Sequence, residues 1–413
     1  MSGRKVTSRH IAVPLCEPAG CVGYRAAMAA GRRSILIDAR VNAMPGAYGL
    51  ARSVMELAAH MPPPADGLLL RVLVNPDRPQ LFPLSALPAH ADVIGTTITA
   101  GALHRCLDLA RLIRSAGAAA LYVPYATFTP LLQPCPFVVT VHDSTIEQDV
   151  RYAGNWLRQT GTRLATRISL GRAAAATAPT RASLAEISRH YPVVPHPTVV
   201  PNGVDASQFR TVTAAAAAAA RERYQLPDLF ILTVGAHRPH KNHDVLIRAL
   251  AQLPASVALV IVGSSDPRFP DLLPGQIAEL GVQARVKLVP DVAEDWLPAV
   301  YRAASVFAFP SLSEGYGIPV LEAMAAGTPV VMSEIPTLTE VAGQAALTVP
   351  PRDVAGWVSA LTAVLSDAAV TRRLVHAGRS VAAAASWEHG AIVLADLLAA
   401  VAAGRLTGRS ARG

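Results

Sequence analysis

In its second half the chain reads Ser313-Glu-Gly-Tyr-Gly-Ile-Pro-Val-Leu-Glu-Ala-Met-Ala-Ala-Gly-Thr-Pro-Val-Val331. This order predicts a loop, a helix and a buried strand, because glycines let a loop approach a ligand and Pro319 suits a first helical turn. The positive end of that helix would face an anion such as a diphosphate. Glu314 and Glu322 would accept hydrogen bonds from hydroxyl groups on either side of it. The segment therefore indicates a nucleotide-sugar pocket, and an ordinary helix with a solvated glutamate near its start is the alternative.

The rest of the chain predicts an α/β architecture. Short β-branched or leucine-rich runs alternate with helical patterns, which is typical of parallel sheets covered by helices. In the first half the predicted strands are Ser34–Asp38, Leu68–Val74, Ala119–Val123, Phe137–His142, Ala173–Ala178 and Thr198–Pro201. In the second half they are Phe230–Gly235, Val257–Gly263, Arg285–Pro290, Ser305–Pro310, Pro329–Ser333 and Ala345–Val349. We therefore expect two doubly wound, Rossmann-like domains that face a cleft, with ligands beyond the carboxyl ends of the strands.

Turn residues in Pro201-Asn-Gly-Val-Asp205 mark the expected hinge between the two domains. The first domain is then predicted over residues 34–205 and the second over 206–385. Residues 1–33 fit neither a strand nor a helix and are expected to form a poorly defined N-terminal extension. A chain of 413 residues is long enough for two such cores.

Composition limits the class of protein. The chain has no run of 18 apolar residues and no leader-like N-terminus, so we expect a cytoplasmic protein without a membrane span. Residues 1–205 carry 20 Lys and Arg against 12 Asp and Glu, whereas residues 206–413 carry 17 of each. The excess positive charge of the first half favours an anionic lipid or a phosphate-bearing acceptor as partner. No nucleic-acid partner is expected, because basic and aromatic residues are not interleaved.

Residues 151–172 contain five arginines and no acidic residue. As one helix this segment would place Leu157, Leu164 and Ile168 on one face with arginines on both flanks. That pattern is typical of a helix lying on an anionic membrane surface, here the inner face of the plasma membrane. A helix packed on its own sheet gives the same pattern, so both interpretations stay open.

A second basic segment, Gly235-Ala-His-Arg-Pro-His-Lys-Asn242, follows a predicted strand. Its glycine allows the chain to turn, and Arg238 and Lys241 would offer charge-assisted hydrogen bonds to a diphosphate. A solvated basic loop is the alternative. The histidines of this segment and His243 are spaced by three, but no fitting carboxylate accompanies them and Pro239 prevents a shared helical face, which disfavours a metal site.

Two further segments end predicted strands of the first half. Thr140-Val-His-Asp143 places His142 at a carboxyl end, where it would contact a sugar hydroxyl or remain a half-buried structural residue. Ala47-Tyr-Gly-Leu-Ala-Arg52 leads into a helix, so Gly49 and Arg52 are candidates for an acceptor or phosphate loop.

Several motifs are absent from the sequence. It has no Asp-x-Asp, no GxGxxG after a strand and no P-loop, and its four cysteines lack metal-ligand spacing. These absences predict no metal or other cofactor and argue against dinucleotide redox chemistry and nucleoside-triphosphate hydrolysis.

Taken together, these motifs resemble the retaining glycosyltransferases of family 4, which have the GT-B fold. Glu314 and Glu322 match the family's Glu-x7-Glu motif, and the segment ending at Asn242 is similar to its Gly-Thr-Arg-Lys-Pro-His-Lys-Asn type. The interdomain and histidine signatures also match, in Val200-Pro-Asn-Gly-Val-Asp205 and Thr140-Val-His-Asp143. The resemblance implies that residues 386–403 form a helix that crosses back onto the first domain.

The resemblance also implies a role for each matched residue. Lys241 and Arg238 would hold the donor diphosphate, Glu314 the donor sugar and Glu322 the ribose, with His142 beside the reacting sugar. The donor loop would comprise Gly235, Gly315, Tyr316, Gly317 and Ile318. In the family's Gly-Ile-Gly-Arg turn, which corresponds to Gly49–Arg52, Ala51 replaces the second glycine.

The implied reaction is transfer of a hexosyl group, mannose favoured, from GDP-mannose or a UDP-sugar to a lipid-linked or polysaccharide hydroxyl. The configuration would be retained by front-face substitution without a metal. The alternative is a catalytically weakened GT-B protein that serves as a sugar-nucleotide-binding or partner module, and Ala51 is the only residue that favours it. A pyridoxal-phosphate-dependent phosphorylase would need a cofactor lysine, and the chain has only Lys5, Lys241 and Lys287.

Overall fold

The computed structural model describes residues 33–44, 46–78, 80–99 and 105–406. It contains two parallel sheets, with strand orders β3-β2-β1-β4-β5-β6-β7 and β10-β9-β8-β11-β12-β13. The predicted fold class, two doubly wound α/β domains, is confirmed. The predicted extension 1–33 lies outside the described residues apart from Arg33.

The strands of the first sheet are β1 (Ser34–Asp38), β2 (Leu69–Val74), β3 (Ala91–Gly95), β4 (Ala118–Val123), β5 (Phe137–Thr140), β6 (Ala175–Ala178) and β7 (Thr198–Val199). Those of the second sheet are β8 (Phe230–Val234), β9 (Ala258–Val262), β10 (Val286–Val289), β11 (Val306–Phe309), β12 (Val330–Ser333) and β13 (Leu347–Val349).

The helices of the first half are α1 (Tyr48–Ala59), α2 (Cys106–Ser115), α3 (Thr145–Gln148), α4 (Val150–Ala153), α5 (Trp156–Arg172) and α6 (Arg181–His190). Those of the second half are α7 (Ala206–Arg210), α8 (Ala214–Tyr224), α9 (His243–Leu250), α10 (Leu273–Glu279), α11 (Leu297–Ala303), α12 (Ile318–Ala326), α13 (Pro336–Ala342), α14 (Val354–Ser366), α15 (Ala368–Ala384) and α16 (Trp387–Ala402).

Each predicted strand is present, and two details of the sequence interpretation are wrong. Strand β3 was not predicted, because it is an edge strand whose Val93 is 41% exposed, so its residues lack a continuous apolar run. Residues 151–172 do not form one helix, because they comprise the end of α4 and all of α5. The break is at Gly154, which has a φ of +89° that favours glycine, and at Asn155, whose side chain caps α5 by accepting from Arg158 N at 2.8 Å.

Helix α16 joins the end of the described chain to the first sheet. It packs on α1, β1, β4 and β5, and buries Trp387, Leu394 and Leu398 in the same core as Ile37. Its backbone lies directly against the hinge, where a Cβ on Gly203 would collide with Trp387 N and a Cβ on Gly390 with Pro201 O. The segment Ala368–Ala402 is long and apolar enough to cross a membrane, but Ser386 divides it into α15 and α16.

Candidate active site

The second domain contributes an ion pair at the carboxyl ends of its strands. Lys241 Nζ donates to Glu314 Oε1 at 2.6 Å, and both side chains are mostly buried. Lys241 ends a short 3₁₀ turn after β8, and Asn242 anchors that turn by donating to Pro310 O at 2.9 Å and Pro351 O at 2.8 Å. The cation and the carboxylate that the sequence assigned to one ligand therefore lie together.

The loop that follows Glu314 packs directly against the first domain. The backbone of Gly315 lies so close to the carbonyl of His142 that a side chain at this position would collide with it. The carbonyl of Gly315 accepts from Ser183 Oγ at 2.9 Å, and Gly317 has a φ of +102° where it begins α12. The loop glycines are therefore required by the approach of the two domains and by the turn into α12.

His142 lies at the end of β5, as predicted. Its Nε2 is 2.9 Å from Pro124 O and donates to it, which leaves Nδ1 as the acceptor nitrogen of a neutral ring. Burial lowers the pKa of His142, against smaller opposing effects of Asp143 and the Pro124 carbonyl. The ring is therefore neutral at pH 7 and able to accept a hydrogen bond.

Glu322 has different partners from those of Glu314. It lies on α12 with an exposure of 2%, and Arg52 from α1 of the first domain donates to Oε1. Tyr301 OH donates to Oε2 at 2.8 Å. Burial, followed by the nearby Glu322 charge, raises the pKa of Tyr301 well above its ordinary value. In this arrangement a ribose hydroxyl would have to share Glu322 with Arg52.

Gly49 and Ala51 lie within α1 and not in a turn before it. Ala51 is fully buried and belongs to the core of the first domain. A glycine at position 51 would remove a core methyl group. The residue that departs from the family pattern, Ala51, therefore fills space in the core of the first domain.

Arg238 is held by a residue that the sequence analysis missed. Its Nε donates to Asp266 Oδ2 at 2.8 Å, and its Nη2 is 3.4 Å from Gly46 O of the first domain. Arg268 also donates to Asp266, with its Nε 2.7 Å from Oδ1. These hydrogen bonds, those from Arg268 above all, hold the pKa of Asp266 well below its usual range. Asp266 and Arg268 follow the end of β9, so the rule that identified His142 would also have found them.

The three histidines near Lys241 do not converge on a common point. His237 Nδ1 is 3.2 Å from Asp271 Oδ2, and His240 packs edge-on against Tyr152. Burial, with the nearby His237 and Lys241 charges, lowers the pKa of His243 to about 4. In the described part of the chain no group of three or more His, Cys, Asp or Glu residues is placed to hold a metal ion.

Comparisons with known proteins agree with this architecture. The profile for Glycosyltransferase Family 4 matches residues 48–208, and that for Glycosyl transferases group 1 matches residues 218–381. The D-inositol 3-phosphate glycosyltransferase of Nocardia farcinica is 36% identical over 236 residues, 52% of each chain. The same-named protein of Mycolicibacterium smegmatis is 36% identical over 199 residues, 46% of this chain and 44% of the relative. The chain thus spans about half the length of the curated relatives it matches.

Solved structures extend the similarity to nearly the whole chain at the level of the fold. Sucrose-phosphate synthase from Thermosynechococcus elongatus has a TM-score of 0.72 at 22% identity, covering 90% of this chain and all of that one. Anabaena HepE, in complex with UDP and glucose, has a TM-score of 0.71 at 19% identity and covers 89% of this chain and 99% of its own. Each of the two domains is thus matched by its own glycosyltransferase profile, and the two domains together have the GT-B fold.

Proposed function

We propose that this chain is a retaining hexosyltransferase that uses a nucleotide-diphosphate sugar. The observation that carries the proposal is the 2.6 Å contact between Lys241 and Glu314, beside the point where Gly315 meets His142. A leaving diphosphate needs a cation, and a hexose needs an acceptor for its hydroxyls. Lysine has three donors, so Lys241 can keep its bond to Glu314 while it binds a phosphate oxygen.

The proposed reaction is a front-face substitution in which the leaving diphosphate helps to deprotonate the acceptor hydroxyl. The charge that develops on that diphosphate would be stabilised by Lys241, Arg238 and the N-terminal end of α12. Neutral His142 would accept a hydrogen bond from a hydroxyl of the reacting sugar, and Glu322 would bind the ribose. These groups supply the electrostatic stabilisation from the protein, so the proposal includes no metal.

Transfer and its stereochemistry are tested together by following the anomeric proton of the product by NMR. Lys241→Met should lower the rate by roughly 100- to 1,000-fold, the usual effect of removing one group that stabilises transition-state charge. Lys287→Met is the matched control, because Lys287 lies on β10, and should keep near-native activity. A product of inverted configuration, or full activity in Lys241→Met, would overturn the mechanism, and loss of activity in EDTA would overturn its metal independence.

The donor and acceptor are separate parts of the proposal. GDP-mannose is the donor favoured by the sequence, and UDP-glucose is the competitor, since HepE is described in complex with it. A thermal-shift screen separates them, because a ligand at 100 times its dissociation constant adds about 2.7 kcal/mol of stability. Two kinds of acceptor are candidates. The sequence predicts a lipid-linked or polysaccharide hydroxyl, and the names of the relatives add a phosphorylated polyol. Donor binding without turnover on any of these acceptors would favour the binding-module alternative.

A further inference from the structure

Helix α5 exposes large apolar side chains to solvent. Trp156 is 65% exposed, Leu157 64%, Leu164 57% and Ile168 46%. Leu131 and Leu132 are 46% and 42% exposed on the neighbouring loop, which Arg172 joins to α5 by donating to Leu131 O at 2.8 Å. Apolar side chains grouped in this way mark an interaction site more often than single exposed ones do.

The apolar side chains lie opposite the face that α5 uses for packing. At about 100° per residue, Leu157, Leu164 and Ile168 fall within about 40° of one another. The buried residues of α5, Thr166, Ser169 and Leu170, lie on the other side. Helix α5 therefore packs on its own domain through Leu170, which lies in a core with Phe137 and Val139 of β5. The apolar stripe points away from that core and is exposed within the described part of the chain.

Charge identifies the kind of partner. Arg163 and Arg167 border the stripe on one side, and Arg158 and Arg172 border it on the other, by the same angular count. No acidic residue occurs between Val150 and Arg172. An apolar stripe between two basic borders fits the boundary between lipid head groups and acyl chains, where leucines enter the apolar layer and arginines meet anionic head groups.

We propose that this face of α5 docks onto an anionic lipid bilayer. The surface lies beside the cleft, because Gln159 Nε2 donates to Ile146 O of α3 at 2.7 Å and Thr145 of α3 contacts Ser313 Oγ at 2.9 Å. Docking would therefore present the cleft to acceptors held at a membrane. The inference rests on the surface of α5 and stands whether or not the proposed sugar transfer is correct.

Vesicle binding tests the proposal with the full chain. The protein should sediment with vesicles of phosphatidylglycerol and phosphatidylcholine at low salt, and much less with phosphatidylcholine alone or at 1 M salt. The double variant Leu157→Ser/Leu164→Ser should bind more than tenfold more weakly. Removing two charges, in Arg158→Gln/Arg167→Gln, should weaken binding by roughly 30-fold. Trp156 provides an intrinsic reporter, because the other tryptophans are half-buried or buried, so its emission should shift to the blue on docking.

Leu272→Ser is the matched control, because Leu272 is also 64% exposed but lies in the second domain. It should bind vesicles like the native chain. Equal binding by the α5 variants, or no sedimentation of the native chain at low salt, would overturn the proposal. A second copy of this chain as the occupant would overturn it too, and would appear in analytical ultracentrifugation as a dimer that Leu157→Ser/Leu164→Ser dissociates.

Discussion

Replacing Arg52 with methionine should destabilise the chain by about 3–5 kcal/mol, because it leaves a buried carboxylate without its cation. The side chains of Arg52 and Glu322 are only 7% and 3% exposed, so bulk water has little access to the carboxylate that loses its partner. The Tyr301 hydroxyl remains on Oε2, but one neutral donor does not compensate a buried charge. Methionine fills much of the space of the arginine stem, so a cavity contributes little to the effect.

Urea unfolding followed by circular dichroism measures this cost. The double variant Arg52→Met/Glu322→Gln should recover more than half of it, because glutamine is neutral and still accepts from Tyr301. Arg248→Met is the surface control, since Arg248 pairs with Asp244 at 59% and 32% exposure and should cost about 0–1 kcal/mol. The reasoning fails if Arg52→Met costs no more than Arg248→Met, or if the double variant is as unstable as the single one.

Three further predictions concern protonation, packing and positioning. The pKa of buried His243, about 4, lies below the ordinary 6.5, so its neutral form contributes stability above pH 6.5 that is lost as pH falls towards 4. His243→Gln should therefore flatten the pH dependence of unfolding by about 3 kcal/mol over that interval. Gly315→Ala should push the loop away from the His142 carbonyl, lowering the transfer rate at least 100-fold and stability by about 1–3 kcal/mol. Asp266→Asn should loosen Arg238 and raise the dissociation constant of a nucleoside diphosphate about tenfold in calorimetry.

Each of these has its own control. For the pH series, an unchanged slope in His243→Gln would show that other groups cause the acid loss. For the loop, Gly275→Ala in α10 meets nothing within 4 Å and should be silent, so equal effects would contradict the steric argument. For Asp266, the control is Asp271→Asn on the same loop, and the nucleoside without phosphates should bind both variants like the native chain. Weakened nucleoside binding in Asp266→Asn would indicate general damage.

The two-domain α/β architecture could be predicted from the sequence, because the strands of a parallel sheet are buried on both faces and therefore consist of continuous apolar residues. It failed at β3, an edge strand with Asp92 and Val93 partly or largely exposed. It also failed at Gly154, where one φ value divides a regular basic segment.

The ion pairs of the site were less accessible to sequence reasoning. Lys241 and Glu314 were assigned to the same ligand, but their direct contact depends on how two loops converge. The pairing of Arg52 with Glu322 joins residues 270 positions apart and depends on how the two domains meet. Local sequence patterns carry no information on how the two domains meet. Asp266 and Arg268, in contrast, follow the end of β9 and could have been identified from the sequence.

The passage of α16 back across the hinge makes the first domain discontinuous along the chain. A fragment cut at Asp205 would lose Trp387, Leu394 and Leu398 and expose the apolar surface of α1, including Leu57, that they cover. A chimera that exchanges the first domain with that of a relative must therefore transfer residues 34–205 and α16 together. Transfer of residues 34–205 alone would pack the sheet of one protein against the α16 helix of the other.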